Sequence, residues 1–556
     1  MLYQKIKALQ HNEKKTYQFL SEKSEYYARS PKEMYAQAET LACNLQAEGV
    51  KQGEAIALIL ESPEAFICGF MGCVLAGAVP VPVSPPNIGF DKAAYLQALS
   101  HIVEKSCAKY LFFTESLSQS LPVSDKLPAL EPFVYEWLEK PASKPLSPVD
   151  LAAEDTCFIQ FTSGSTGNPK GVVVSYANLN HNVRGIAENI RLTSEDVSVS
   201  WLPLYHDMGL IGKVLTPIYY QNHMIYIPTR KFIRSPSIWL TALSRFKATI
   251  TFAPNFAFAL AVKRFREKQG DQLDLSQLRV LGCGAEPINP DVLDSFCERM
   301  SVYGLNSSAI MPCYGMAEAT LALTFDSIDT PYKRLAINQG DYHQLKIAIP
   351  EKQNEKSLSL VSCGRIFDGH KIRILDAAGY ALGEGQVGEV CVEGPSIAKE
   401  YINAEEATES TFSNGLLRTG DIGFMYQGEL YISGRIKDMI IVNGRNIYAQ
   451  DVEWPLEIVE GIRQGNTVAI SIQQGATEGF VVLAEVKRAQ QSIIDQINAI
   501  CSSHIGLLPT EVLLIQSGAL PKTTSGKVRR QLTKSLYLSG VFDEKRLEVK
   551  DDTVVG

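Results

Sequence analysis

Apolar runs and amphipathic stretches alternate along the chain, and their periods predict layered α/β structure. The segment Ser30-Pro31-Lys32-Glu33 opens a helix with Pro in its first turn, and Met34, Ala38, Leu41 and Leu45 fall on one face of it. Residues 55–60 read as a strand, 64–76 as a helix and 78–81 as a strand, an alternation that predicts parallel layers. The run 66–83 holds no charged or strongly polar residue, but Gly69, Gly72, Gly77, Pro80 and Pro82 interrupt it. It reads as a buried helix ending near Gly77 and an extended segment, since a spanning helix wants about 20 unbroken apolar residues. Residues 116–148, rich in Pro and Ser, read as an exposed connection. Further strands are expected at 199–202, 224–227 and 278–281, with a helix at 238–246. Beyond Ile372 the texture changes to short strands and Gly-rich turns at 371–375, 389–393 and 428–433, a small β unit. The polar junction 434–438 precedes an apolar strand at 439–442. The expected organisation is therefore a large α/β domain over 1–433 and a small α+β domain over 434–556.

A length of 556 residues exceeds one ordinary core, which agrees with two domains. A net charge of −8 and a pI near 5.7 argue against a nucleic-acid-binding surface. Eleven cysteines without any C-x-x-C pair suggest neither a zinc site nor a disulfide framework, and fit a reducing, cytoplasmic compartment. The N-terminus, Met1-Leu2-Tyr3-Gln4-Lys5, lacks the apolar core of a signal peptide.

Candidate chemistry concentrates in Gly-rich loops that follow the apolar runs. Residues 162–171 read Thr-Ser-Gly-Ser-Thr-Gly-Asn-Pro-Lys-Gly, after the apolar residues 158–161 and before Val172-Val173-Val174. Main-chain donors, hydroxyls and the cation of Lys170 are the components of a polyphosphate cradle. The common phosphate loop is excluded, because Pro169 precedes Lys170 and Val528 follows Gly526-Lys527. Four more loops carry polar groups: the His206-Asp207 pair in 201–209, the small residues of 282–287, Glu318 in 313–320 and Asp421 between glycines in 418–423. Near the C-terminus, 521–530 holds Lys527 among Gly, Ser and Thr. Taken singly, each of these is also compatible with a plain turn.

The order Thr-Ser-Gly-Ser-Thr-Gly-x-Pro-Lys-Gly resembles the signature loop of the adenylate-forming superfamily, which activates carboxylic acids with ATP. Further matches follow in the family's order as far as Lys527. The forms Leu202-Pro203-Leu204-Tyr205-His206-Asp207-Met208-Gly209-Leu210 and Asn443-Gly444-Arg445-Asn446-Ile447-Tyr448 most resemble the fatty acyl-AMP ligase branch, with Ala449 departing from a frequent proline. The resemblance implies that Thr162, Ser163, Gly164, Ser165, Thr166, Gly167 and Lys170 meet the phosphates of ATP. It makes Gly284, Ala285, Glu286 and Pro287 the adenine loop. Cys313, Tyr314, Gly315 and Met316 form the next signature, with Tyr314 stacked on adenine, Thr320 near it and Glu318 holding Mg²⁺. Asp421 would bind the ribose with help from Arg435, and His206 would lie near the acyl group. Lys437 would be a hinge, and Lys527 the catalytic lysine carried by a mobile lid. Gly209, Leu210, Ile211 and residues 253–258 would line the acyl tunnel. Residues 331–361 match an insertion that marks the acyl-AMP ligases, where it packs near the lid.

That branch implies activation of a medium- or long-chain fatty acid to an acyl-adenylate. Transfer would follow to the phosphopantetheine thiol of a separate acyl carrier protein, or of a polyketide or nonribosomal synthase carrier domain. Lys522, Lys527, Arg529, Arg530 and Lys534 would meet an acidic carrier. The competing expectations are a long-chain fatty acyl-CoA synthetase and a catalytically silent nucleotide-binding relative.

Overall fold

Strands buried on both faces and covered by helices build two parallel sheets in the computed structural model, which describes residues 1–86, 92–120, 130–142, 144–162, 169–266, 273–354, 357–442, 445–474, 477–523 and 527–549. The larger sheet has nine strands in the order Arg365–Ile366, Ala322–Phe325, Ile310–Gly315, Val280–Cys283, Ile250–Ala253, Val197–Ser200, His223–Tyr226, Tyr17–Leu20 and Tyr26–Arg29. The run from Ile310–Gly315 to Tyr17–Leu20 is parallel, and antiparallel pairs close both edges. The second sheet, Val79–Pro82, Ala55–Ile59, Tyr110–Phe113 and Glu131–Val134, is parallel throughout.

The apolar run expected as a buried helix is the helix Pro63–Ala76. Ser62 caps it by accepting from the Ala65 amide at 3.1 Å, and Gly77 ends it in a left-handed conformation. Every residue from Ala65 to Ala76 is buried, so its all-round hydrophobicity is that of a core helix. Among the described residues no helix is long and apolar enough to cross a membrane.

Residues 116–148 differ from the expected exposed connection. They include the edge strand Glu131–Val134 and the short helix Tyr135–Leu138. Pro132 disguised that strand, yet an edge strand tolerates a proline because one of its sides needs no ladder donor. Strands expected at 199–202 and 278–281 lie two residues away, at Val197–Ser200 and Val280–Cys283. Register explains the shift. Ile250 pairs with both Ser198 and Val280, so neighbouring strands set where each begins.

An aromatic cluster backs the strand ends that carry the site. Trp201 stacks on Phe232 at 3.7 Å, and Trp239 meets Phe258 edge-on at 5.8 Å and donates to Thr251 Oγ1 at 3.0 Å. Each such ring pair contributes about 0.5–1.5 kcal/mol beyond its buried area.

The small β unit is a five-stranded antiparallel sheet of Lys371–Leu375, Gly388–Glu393, Phe412–Ser413, Leu416–Tyr426 and Glu429–Arg435. From Met439 onward the chain forms the pair Met439–Val442 and Arg445–Tyr448. A three-stranded sheet, Ile462–Gln474, Thr477–Val486 and Glu511–Gln516, follows, with helices Gln491–Ile505 and Arg530–Leu538. These residues bury apolar clusters of their own, around Ile447, Val482 and Ile497 on one face and Ile470, Leu513 and Phe542 on the other.

The described residues of 331–361 are folded. Strands Arg334–Asn338 and Ser357–Val361 pair antiparallel, and the helix Gln339–Leu345 follows the first of them. Asn338 caps that helix, accepting from the Asp341 amide at 2.9 Å. Its apolar side chains pack with Phe424 and Tyr431 of the β unit and Tyr448 from the C-terminal part.

Candidate active site

Loops leaving the C-terminal ends of the central strands meet the β unit and the C-terminal part around one cavity of about 1840 Å³. Parallel sheets place ligands at these strand ends, where the adjoining loops converge. Thr162, Lys170, His206, Ala285, Glu286, Pro287, Cys313, Tyr314, Gly315, Met316, Glu318, Asp421, Arg435, Lys437 and Lys527 all line the cavity. Ser163, Gly164, Ser165, Thr166 and Gly167 lie outside the described residues.

Antiparallel strands Thr156–Phe161 and Gly171–Ser175 bring the two ends of the phosphate-loop segment together, and the Thr162 amide donates to Lys170 O at 2.9 Å. The His101 ring meets Pro169 O at 3.0 Å. Lys170 Nζ lies 4.9 Å from the centre of the Tyr401 ring, a cation–π contact. Burial and the like charge of Lys437 lower its pKa, and Glu318 pulls in the opposite direction. Tyr401 also donates to Glu318 Oε1 at 2.7 Å, while burial raises the Glu318 carboxyl above the usual carboxylate range. Sequence reading missed Tyr401 because no motif signal surrounds it.

Asp421 is held at both oxygens. Tyr314 OH donates to Oδ2 at 2.7 Å and Arg435 Nε to Oδ1 at 2.5 Å. Asp421 in turn holds the Arg435 guanidinium well above its usual range. Thr419 Oγ1 accepts from the Asp421 amide at 3.0 Å and fixes the turn.

At the other wall, His206 Nδ1 sits 2.6 Å from Asp207 Oδ1, which also accepts from the Met208 amide at 2.6 Å. Burial pushes the Asp207 carboxyl up, but His206, Lys527 and that amide outweigh it and hold the group below its ordinary value. Gly209 makes this loop turn tightly, since a Cβ there would stand 2.0 Å from Pro203 O.

Lys527 reaches across from the C-terminal part and donates to Ala285 O. Burial lowers its pKa, opposed by the negative charges of Glu286 and Asp207. Glu286 Oε1 accepts from the Phe256 amide at 2.6 Å. Arg530 ties the segment after Lys527 to the junction. It bonds Asp438 at 3.0 Å and both oxygens of Glu453 at 2.7 Å, and Gln531 Nε2 donates to Lys437 O at 2.6 Å.

Several expectations need correction. Gly284 does not line the cavity; a Cβ there would meet Cys313 Sγ at 2.6 Å and Cys313 O at 2.8 Å, so its smallness lets two loops touch behind the wall. Thr320 is fully buried behind the wall, at a positive φ of 69° and with its hydroxyl donating to Ser396 O at 2.7 Å. Of the expected acyl-lining residues, Asn255 and Phe256 reach the cavity, while Leu210, Ile211 and Phe258 are buried in the core. Helical rotation brings Met208, Gly212 and Lys213 to the cavity instead. The C-terminal basic residues do not form one exposed patch. Lys522, Lys527, Arg529 and Arg530 line the cavity, and Lys534 donates to Ser471 Oγ at 2.9 Å.

The 331–361 segment touches the C-terminal part through buried side chains. The Tyr342 and Tyr448 rings lie 6.0 Å apart, and His343 Nε2 is 3.8 Å from Asp451 Oδ2. Burial pushes the Asp451 carboxyl up to about 7.

The family model for AMP-binding enzymes matches residues 7–402. The chain belongs to that family. It is 33% identical over 519 residues, 91% of this chain and 90% of the relative, to a Caulobacter vibrioides protein provisionally named an acyl-CoA synthetase. It is 30% identical over 565 residues, 97% of this chain and 94% of the relative, to JamA of Moorena producens, a medium-chain-fatty-acid–[acyl-carrier-protein] ligase. A solved structure from work on fatty acyl-adenylate ligases of E. coli and L. pneumophila superposes with a TM-score of 0.90 at 29% identity, covering 98% of both chains.

The contact between the 282–287 loop and Cys313 gives a direct test of whether that loop meets AMP. Gly284→Ala must push the 282–287 loop away from Cys313, and overpacking of about 1–3 kcal/mol corresponds to roughly five- to hundred-fold in affinity. Calorimetric titration with AMP should record that loss; an unchanged affinity would count against such a contact.

Proposed function

We propose that the protein uses ATP to convert a fatty acid into its acyl-adenylate, releasing pyrophosphate, and passes the acyl group to the phosphopantetheine thiol of an acyl carrier protein or carrier domain. The observation that carries this reading is the continuity of one cavity. It joins the polar groups Asp421, Tyr314, Glu318 and Lys527 to apolar walls that include Ile186, Ile190 and Phe252.

In the first step a carboxylate oxygen of the acid attacks the α-phosphorus, and the bond from that phosphorus to the bridging oxygen of pyrophosphate breaks. The substrate is itself the nucleophile, so the protein supplies positioning and charge rather than a base. Asp421 would accept from the ribose hydroxyls, with its geometry fixed by Tyr314 and Arg435. Lys170 and Lys527 would face the phosphates from opposite sides. Lys527 loses solvation in the cavity, which strengthens its field on developing negative charge. His206, at the same wall, would meet the acyl carboxyl group.

Glu318 suits Mg²⁺, a hard cation that keeps few protein ligands and shares phosphate oxygens. Tyr401 fixes one oxygen of the carboxylate in the cavity wall, and among the described residues no cluster of three or more potential ligands surrounds it. Bound there, the ion would neutralise phosphate charge. In the second step the carrier thiolate attacks the acyl carbon and AMP leaves. Lys437, at the junction between the two parts of the chain, would be the hinge that changes the lid between the steps.

The competing reading, transfer to CoA, is favoured by the name of the Caulobacter relative. The insertion supports the carrier instead. Tyr342 and His343 bury themselves against Tyr448 and Asp451, so a rotated lid would have to expose these groups. A silent relative is disfavoured because Lys170, Glu318, Asp421 and Lys527 all reach the cavity.

Mass spectrometry of products should find acyl-AMP from dodecanoate, ATP and Mg²⁺, loading of a holo acyl carrier protein and little acyl-CoA. Abundant acyl-CoA would sink the carrier assignment. Lys527→Ala should lower the adenylation rate by about 10²–10³, the range for loss of one charge-stabilising donor, and an undiminished rate would remove it from catalysis. The double variant Tyr342→Ala/His343→Ala should raise acyl-CoA formation at least several-fold while adenylation stays constant. No rise would leave the insertion without the proposed role.

A further inference from the structure

The apolar part of the cavity ends on polar groups that the adenylation chemistry does not use. The larger sheet carries its nucleotide-facing residues at the C-terminal ends of its strands: Ala285 follows Val280–Cys283, and Tyr314 closes Ile310–Gly315. Ser198 and Ile250, which also line the cavity, pair in register near the opposite ends of their strands, and Asn222 immediately precedes His223–Tyr226. By the pairing of Ile250 with Val280, the strand end at Cys283 stands three residues further along, roughly 10 Å at strand rise, and Ala285 lies beyond it. The cavity thus extends along the strands, away from the nucleotide wall.

Lys213 lines the cavity in this region from a π-helical turn, Ile211–Leu215, an irregular form that recurs at functional sites. The wider turn is stabilised by Thr216 Oγ1, which donates to Ile211 O at 2.8 Å. The Lys213 side chain is buried, with 3% of the residue exposed, and its Nζ stands 4.6 Å over the Phe252 ring. Among the described residues no carboxylate lies within ion-pairing distance of it. Burial pulls its pKa down to about 7, and Asp196 only partly opposes this, being engaged by Arg279 at 2.6 Å and Thr249 at 2.7 Å. Asn222 is 1% exposed and its Oδ1 has no hydrogen-bond partner, while its Nδ2 reaches Ser198 Oγ at 3.5 Å. An ammonium group without a carboxylate partner and an amide oxygen without a donor are costly to bury in an apolar channel. A saturated methyl-terminated chain would leave both as they are.

We propose that Lys213 and Asn222 read the far end of the acyl chain, and that the preferred acid bears an oxygen there, an ω-carboxylate or an ω-hydroxyl group. A carboxylate would pair with the ammonium group. A hydroxyl would accept from Lys213 and donate to Asn222 Oδ1. The proposal rests on fatty-acid adenylation by this cavity and names its specificity.

ATP–pyrophosphate exchange with dodecanoate, ω-hydroxydodecanoate and dodecanedioate tests it on the intact enzyme. The wild type should favour at least one oxygenated acid in kcat/KM by about ten- to hundred-fold, the range for a buried hydrogen bond to a charged group. Lys213→Met should reverse that ratio toward dodecanoate. Preference for the dicarboxylate identifies ion pairing, and preference for the hydroxy acid identifies neutral hydrogen bonding. A wild type that favours dodecanoate keeps fatty-acid adenylation and overturns the proposal, as does an oxygenated preference that survives Lys213→Met. Exchange with none of the three acids overturns both. Should Lys213→Met fail to fold, the wild-type ratio decides alone.

Discussion

The site depends on keeping Lys527, a cation from the C-terminal part, inside a cavity whose other walls belong to the rest of the chain. Its donation to Ala285 O, with Glu286 and Asp207 supplying opposite charge, makes a buried ammonium tolerable there. The same arrangement accounts for its neighbours. Glu286 is anchored by the Phe256 amide, Asp207 by His206 and Met208, and Arg530 clamps the chain that follows Lys527 to Asp438 and Glu453. Each of these charges around Lys527 has a partner that fixes its direction, so the field at this wall is set before a ligand arrives.

How the C-terminal part is held follows from the kind of contact it makes. Its own apolar clusters close on themselves. Its other ties to the core are polar, such as Lys527 to Ala285 and Gln450 to Ser433, and exchange of such bonds with water leaves little net stability per bond. Among the described residues, the buried apolar cluster that spans both parts includes residues of the 331–361 segment, with Tyr342 and Ile337 beside Tyr448 and Phe424. Apolar burial is the term that does not exchange with water. Residues of the 331–361 segment in that cluster therefore weigh more than the hydrogen bonds in holding the C-terminal part where it lies.

Much of the site could be read from the sequence because its residues lie on short loops whose composition departs from the apolar strands around them. Asp421, Glu318 and the His206-Asp207 pair lie on such loops, but taken singly each also fits a plain turn, and only the ordered resemblance to the family gave them roles. Strand edges were less legible: an apolar run marks burial, whereas the start of Val280–Cys283 is set by its pairing with Ile250. Gly284 was read as a nucleotide contact because small residues suit a close ligand, but the close approach is to Cys313. Tyr401 left no signal, since its importance comes from a fold that sets it between Lys170 and Glu318. The 331–361 segment looked like a low-periodicity insertion, and its apolar residues acquire a face only through tertiary contact with Phe424 and Tyr448.

Lys213 was the least legible of all, for a physical reason. In sequence it is one lysine after Gly212, and a lysine is normally expected in solvent. Two facts of the fold reverse that expectation. The π-helical turn alters which residues of 207–215 face the sheet, so Gly212 and Lys213 reach the cavity while Leu210 and Ile211 enter the core. The sheet face opposite presents Ser198, Ile250 and Phe252, which offer the ammonium group an aromatic ring but no carboxylate. A side chain long enough to find water has been kept where water is scarce. Its charge is then the property most easily satisfied by a molecule that enters the cavity from the other end.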